Sequence, residues 1–148
     1  MNNINKSLKT NVIPAVEGYL KWPSDKPQLM GSKCKSCGTY FFPKTFRCSN
    51  PDCNEEVEDA ILSSRGSLWS YTIQYYAPPP PYHPPDPFVP YGIGLVELPE
   101  GIRVIGMLTN CDLDNLKVGM PMELTVEKIY EDEKGNDIIT WKFKPATD

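Results

Sequence analysis

Four of the five cysteines lie in one stretch with the spacing C-x2-C-x10-C-x4-C: Cys34 and Cys37 in CKSCG, and Cys48 and Cys53 in CSNPDC. Thiolates at such spacings are soft, convergent ligands. Two residues between sulfurs let both face one ion, and a glycine after the pair, Gly38, can take the positive backbone angle that turns amide hydrogens toward sulfur. Pro51 stiffens the longer second clip. A Zn2+ ion held by four thiolates carries a local charge of −2, which Lys33, Lys35, Lys44 and Arg47 are placed to offset. A closed four-sulfur site has no open coordination position for water or substrate, so its expected role is structural. Metal binding of roughly 10–16 kcal/mol, as in zinc-finger peptides, exceeds what a core of about 30 residues supplies. Disulfides and unligated thiols are the competing readings. The four-residue second clip departs from the usual two, which makes Cys53 the least supported ligand.

The other reactive side chains are scattered. The only histidine, His83, sits in Ala77 to Pro90, APPPPYHPPDPFVP, which holds half of the sixteen prolines. Proline excludes helix and central strand there. As polyproline II at about 3.1 Å per residue the stretch reaches roughly 40 Å, more than neighbouring strands need. One reading is a stiff arm that presents Tyr82, His83, Phe88 and Tyr91 to a partner or ligand at low entropic cost, and the other is a solvated loop. A lone histidine on a loop is more often a surface or interface group than a catalyst. Cys111 follows a strand without a base beside it and reads as a small buried side chain. Glu55, Glu56, Glu58 and Asp59 read as a solvated turn. No Gly-rich phosphate loop, paired-carboxylate motif or Ser-His-Asp pattern appears.

Two modules and a leading segment must position these groups. Residues 1–26 are expected to form a mobile tail and a short docking helix, with Ile13, Val16 and Leu20 near helical spacing. Residues 27–62 carry the cysteines on small hairpins. Residues 63–148 read as five strands: Ser67 to Tyr76, Tyr91 to Leu98, Ile102 to Asn110, Pro121 to Glu131 and Asp137 to Lys144. Trp69, Tyr71, Ile73 and Tyr75 alternate onto one face of the first, and Ile139, Trp141 and Phe143 onto one face of the last. Leu98-Pro99-Glu100-Gly101 and residues 132–136 are tight turns. The fold class is mainly β, with an OB-fold barrel of five strands expected because closure removes exposed edges, and a two-sheet sandwich as the alternative.

A hydrophobic fraction of 40% and a charged fraction of 23% are ordinary for a globular chain. A net charge of −4 disfavours bulk nucleic-acid binding. A single-strand-binding module, with Tyr71, Tyr75 and Tyr76 stacking on bases, would want a Lys/Arg stripe that is absent. No apolar run reaches the roughly 20 residues of a spanning helix, and the start MNNINKSLKT lacks a secretory signal, so the expected setting is cytoplasmic, where thiols stay reduced.

The order of these parts, CKSCG and CSNPDC, then RGSLWSYT, the proline-rich loop and YGIGLVELPEGIRVIGML, resembles the DUF35 family over roughly residues 11–146. The resemblance implies a rubredoxin-like zinc ribbon joined to an OB-fold. It further implies a non-catalytic subunit that binds a thiolase-like chain and helps accommodate a coenzyme A thioester. The reactive cysteine would then belong to the partner, within a hetero-oligomer.

Overall fold

The computed structural model describes residues 12–16, 18–21, 26–53, 55–80 and 87–146. Nine strands, β1 (Val12–Pro14), β2 (Met30–Cys34), β3 (Tyr40–Phe41), β4 (Val57–Ile61), β5 (Arg65–Gln74), β6 (Tyr91–Glu97), β7 (Arg103–Leu108), β8 (Pro121–Glu131) and β9 (Asp137–Pro145), form two sheets.

The larger sheet runs β1-β9-β7-β6-β5-β8, and β8 also pairs with β9. Strands β5, β6, β7, β9 and β8 therefore close on themselves as a barrel. This is the OB-fold arrangement, and it rules out the sandwich. Closure depends on short pairings: Arg65 to Ser67 of β5 lie beside Glu123 to Pro121 of β8, and Met107 and Leu108 of β7 run parallel to Lys142 and Phe143 of β9. Phe143, Met122, Leu68, Val96 and Val104 fill the interior and are almost wholly buried. Small residues make room for them. A Cβ at Gly94 would meet Leu108 Cδ2 at 2.7 Å and Leu68 Cδ1 at 2.9 Å, and one at Gly106 would meet Phe143 Cδ2 at 2.9 Å.

All five barrel strands fall where alternation predicts, but the core-facing side expected for β5 is wrong at Trp69. A register shift between Leu68 and Ser70 places Tyr71 opposite Gly94 and Ile73 opposite Gly92, on the inner side. Trp69 stands outside, over the Arg103 guanidinium. One extra residue in a strand reverses the phase of everything after it. The Tyr71 hydroxyl, at the inner end of its strand, donates to the Leu116 carbonyl at 3.1 Å.

The expected docking helix is not present among the described residues. Val12 to Pro14 instead pair in parallel with Asp137 to Ile139, and the Ala15 amide donates to the Ile139 carbonyl at 2.8 Å. Further on, the Lys21 amide donates to the Gln28 carbonyl and the Met30 amide to the Tyr19 carbonyl, both at 2.8 Å. The β-branched Val12 and Ile13 suit a strand, Pro14 is tolerated at an edge, and the segment's backbone groups are satisfied by two sheets rather than by themselves. Residues 1–10 lie outside the described residues.

The smaller sheet, β3-β2-β4, is the ribbon. Its third strand corrects another expectation: Glu58 and Asp59 are exposed, yet they pair with Lys33 and Ser32 of β2 instead of forming a turn. Ribbon and barrel meet at an aromatic triangle. Tyr19 and Phe42 are 5.4 Å apart between ring centroids, and Trp141 is 6.4 and 5.7 Å from them. The Trp141 indole N–H donates to the Ile105 carbonyl at 3.1 Å. Between the two sheets in sequence, both the amide and the hydroxyl of Ser63 donate to Glu100 Oε2 at 2.9 Å. Leu20, Leu29 and Leu62 join the barrel's buried cluster, so the core is continuous across the junction.

Candidate metal centre

The ribbon brings all four expected sulfurs together. Those of Cys34, Cys37, Cys48 and Cys53 lie within 4.8 Å of one another, with Cys34–Cys53 at 3.5 Å and Cys37–Cys48 at 3.6 Å. A regular tetrahedron of zinc–sulfur bonds of about 2.3 Å has sulfur–sulfur edges of about 3.8 Å. The two closest pairs each join one clip to the other, as expected for ligands gathered around a single point.

Local backbone geometry repeats in both clips. Cys34 ends β2, its amide donates to the Thr39 carbonyl at 2.9 Å, and the Gly38 amide donates back to the Cys34 carbonyl at 3.1 Å. Gly38 has φ +77°, the left-handed conformation that closes this turn. In the second clip the Cys48 amide donates to Glu55 at 2.9 Å and the Cys53 amide to Asn50 at 3.0 Å. Each sulfur also accepts from the amide two residues further on: Ser36 to Cys34 at 3.3 Å, and likewise Thr39 to Cys37, Asn50 to Cys48 and Glu55 to Cys53. The Cys37 amide adds a second bond to Cys34 at 3.4 Å. These donors offset thiolate charge directly.

The lysines do less of this than the sequence suggests. Lys44 pairs with Asp59 at 3.4 Å, and Lys33 lies over the Tyr40 ring at 5.3 Å. Backbone amides take the role assigned to side-chain cations. The signal was positional: the second residue after each cysteine supplies the amide, whatever its side chain.

The four thiols are unequal. Cys34 and Cys48 are buried, whereas Cys37 is exposed at the rim of an open polar hollow lined by Ser36, Asn50, Asp52, Cys53 and Glu55. The Thr39 hydroxyl, then the Thr39 amide, draw the Cys37 thiol down to about 6, and burial pushes Cys48 up to about 11. A coordinated divalent ion overrides this spread, because a metal-bound thiol is deprotonated outright. The donor set, its geometry and its amide bonds all fit zinc.

The remaining candidates are not gathered into a site with the cysteines. Phe88 and Tyr91 touch, ring centroids 6.1 Å apart, at the entry to β6. Tyr82 and His83 lie outside the described residues. Cys111 is partly buried against the core, with its thiol raised by burial and then by Asp112. The group that sequence reasoning missed is the pairing of Ser63 with Glu100, since neither residue type nor spacing marks a contact made only in the fold.

Family models place this geometry. Residues 25–58 match the rubredoxin-like zinc ribbon domain of ChsH2, and residues 61–127 match its C-terminal OB-fold domain. A DUF35 domain-containing scaffold protein of Methanocaldococcus jannaschii is 35% identical over 120 residues, covering 79% of this chain and 81% of the relative. The chain belongs to the DUF35 family. The benzoylsuccinyl-CoA thiolase subunit BbsA of Thauera aromatica is 32% identical over 128 residues, covering 84% of this chain and 83% of that subunit. A solved structure described as the Ltp2-ChsH2(DUF35) aldolase aligns with a TM-score of 0.61 at 26% identity, covering 81% of this chain and 86% of that one.

Proposed function

We propose that this chain is the non-catalytic, zinc-holding subunit of a thiolase-type acyl-CoA acyltransferase complex. Cys34, Cys37, Cys48 and Cys53 would hold one Zn2+, which supplies a fixed crosslink between the two clips and no chemistry of its own. The observation that carries the reading is the closure of the site: four convergent sulfurs leave no position for a substrate, and two relatives of similar length are named as subunits of a thiolase. The nucleophilic cysteine that forms an acyl thioester would then belong to the partner chain.

Within that complex the aromatic entry to β6, Phe88 and Tyr91, together with Tyr82 and His83 of the same proline-rich segment, would border the coenzyme A thioester. An aromatic, proline-stiffened segment loses little freedom on docking. Co-expression with a thiolase-type chain of the same organism tests the proposal. The two chains should co-elute, and acyl-CoA turnover should require both. Turnover by the purified chain alone, abolished by Cys111→Ala, would place a reactive centre here and end the reading.

A further inference from the structure

The barrel wall is of two kinds. On β8 and β9 the outward positions are polar and paired: Glu123 faces Lys144, Thr125 faces Lys142, and Lys142 Nζ lies 3.1 Å from Glu127 Oε1. On β6 and β7 the order is turned inside out. The inward residues of β6 include Gly92 and Gly94, both buried, while the outward row is Tyr91, Ile93 and Leu95. Outward on β7 stand Ile105 and Met107, and the register sets Leu95 beside Ile105 and Ile93 beside Met107. Four aliphatic side chains thus form one stripe on the outer wall, continued by Tyr91 and Phe88. An antiparallel sheet with a solvated face places polar residues there, and apolar residues on both faces mark a sheet covered on both. Among the described residues nothing covers Ile105, which is 62% exposed.

Resting on the thiolase-subunit reading, we infer that this outer face of β6 and β7 is the surface on which the thiolase-type catalytic chain docks. The border of the stripe defines its occupant. Arg103, the charge at one end, is already matched: its Nε lies 3.4 Å from Glu97 Oε2 and its guanidinium 3.9 Å from the Trp69 ring centroid. The stripe therefore asks for an uncharged apolar surface with a polar rim. The occupant follows from the relatives, two of which are named as subunits of a thiolase, and a second copy of this chain is the alternative that the test separates.

The test pairs Ile105→Glu with Lys144→Glu on the opposite wall, in the full chain with zinc bound, against a thiolase-type chain of the same organism. Ile105→Glu should weaken the complex by roughly 30-fold or more, as loss of a central anchor does, while Lys144→Glu leaves it unchanged. Unchanged zinc content and circular dichroism, and the same result with Ile105→Arg, separate lost docking from lost fold. If the wild-type complex forms and Ile105→Glu forms it equally well, the face is wrong and the subunit reading stands. If the wild-type chain binds no thiolase-type chain, the subunit reading falls and this inference with it. Should the free chain self-associate and Ile105→Glu abolish only that, the occupant is a second copy and the inference is overturned.

Discussion

Ribbon and barrel are held together by opposite means. Around the sulfurs the buried ribbon residues are Ser32, Cys34 and Cys48, while the ribbon's large buried side chains, Leu29 and Leu62, belong to the cluster it shares with the barrel. The barrel encloses Phe143, Met122, Leu68, Val96 and Val104 with almost no exposure. A small module cannot bury enough surface to offset its ordering entropy and substitutes a metal, whereas a closed barrel reaches stability through packing alone. The two should therefore fail under different insults.

Stripping the metal is the most severe. Purified protein should carry one zinc per chain, and either a strong chelator or Cys34→Ser should unfold the ribbon, since the roughly 10–16 kcal/mol of a structural zinc site has no replacement there. Hydrogen exchange resolves the outcome: amides of β2 and β4 should lose protection while those of β6 and β7 keep theirs. Protection of β2 surviving chelation would show that the ribbon has a core of its own and erase the contrast.

Phe143→Ala is the reverse experiment. Removing a wholly buried phenyl ring from the barrel should lower stability by about 3–5 kcal/mol in urea titrations, with zinc stoichiometry of the folded protein unchanged. A cost below about 1 kcal/mol would mean that the barrel collapses around the gap and is less tightly packed than Gly94 and Gly106 suggest.

How much of this was legible in the sequence follows the same division. The barrel strands were readable because inside and outside alternate along Val104 to Leu108 or Ile139 to Phe143, and the cysteine cluster because its spacing is itself the geometry. What escaped depended on partners far along the chain. Val12 to Pro14 take strand form because β9 has a free edge, and Val57 to Ile61 because β2 does, neither of which periodicity reveals. The bulge at Trp69 turned that residue out of the inner face it was expected to share with Tyr71 and Ile73, since one inserted residue leaves no mark in composition. The amide donors to the thiolates were not foreseen, because backbone amides are present at every position and so carry no sequence signal.

The junction tests whether the two modules are coupled. Glu100 Oε2 accepts both Ser63 donors, while its Oε1 is buried with no partner among the described residues. Ser63→Ala removes one of two donors to a carboxylate already short of them and should cost about 1–2 kcal/mol. Thermal unfolding should then separate ribbon loss, read by a zinc-sensitive dye, from barrel loss, read by circular dichroism. Coincident transitions in wild type and variant alike would show that Leu20, Leu29, Leu62 and the aromatic triangle couple the modules without this contact.

Acid offers the finest distinction. Protons compete with zinc for thiolates, so the ribbon should release its metal first as pH falls. The barrel has a carboxylate with its own dependence. At the β8–β9 turn the Asn136 side chain donates to Asp132 Oδ2 at 3.0 Å, and the amides of Asn136 and Lys134 donate to Oδ1 at 2.8 and 2.9 Å. The Asn136 side chain first, then its amide, hold the Asp132 carboxyl below its ordinary 3.8. A depressed carboxyl contributes stability that is fully present above the unfolded value and drains away as pH falls through the folded one, so the loss is confined below about pH 4. Asp132→Asn should flatten the barrel's stability-against-pH curve in that window and leave the zinc-release midpoint where it was. Equal slopes for wild type and variant would assign the barrel's acid sensitivity to another carboxylate, with Glu127, whose carboxyl burial raises but the Thr109 hydroxyl and Lys142 bring below its ordinary value overall, the next to replace.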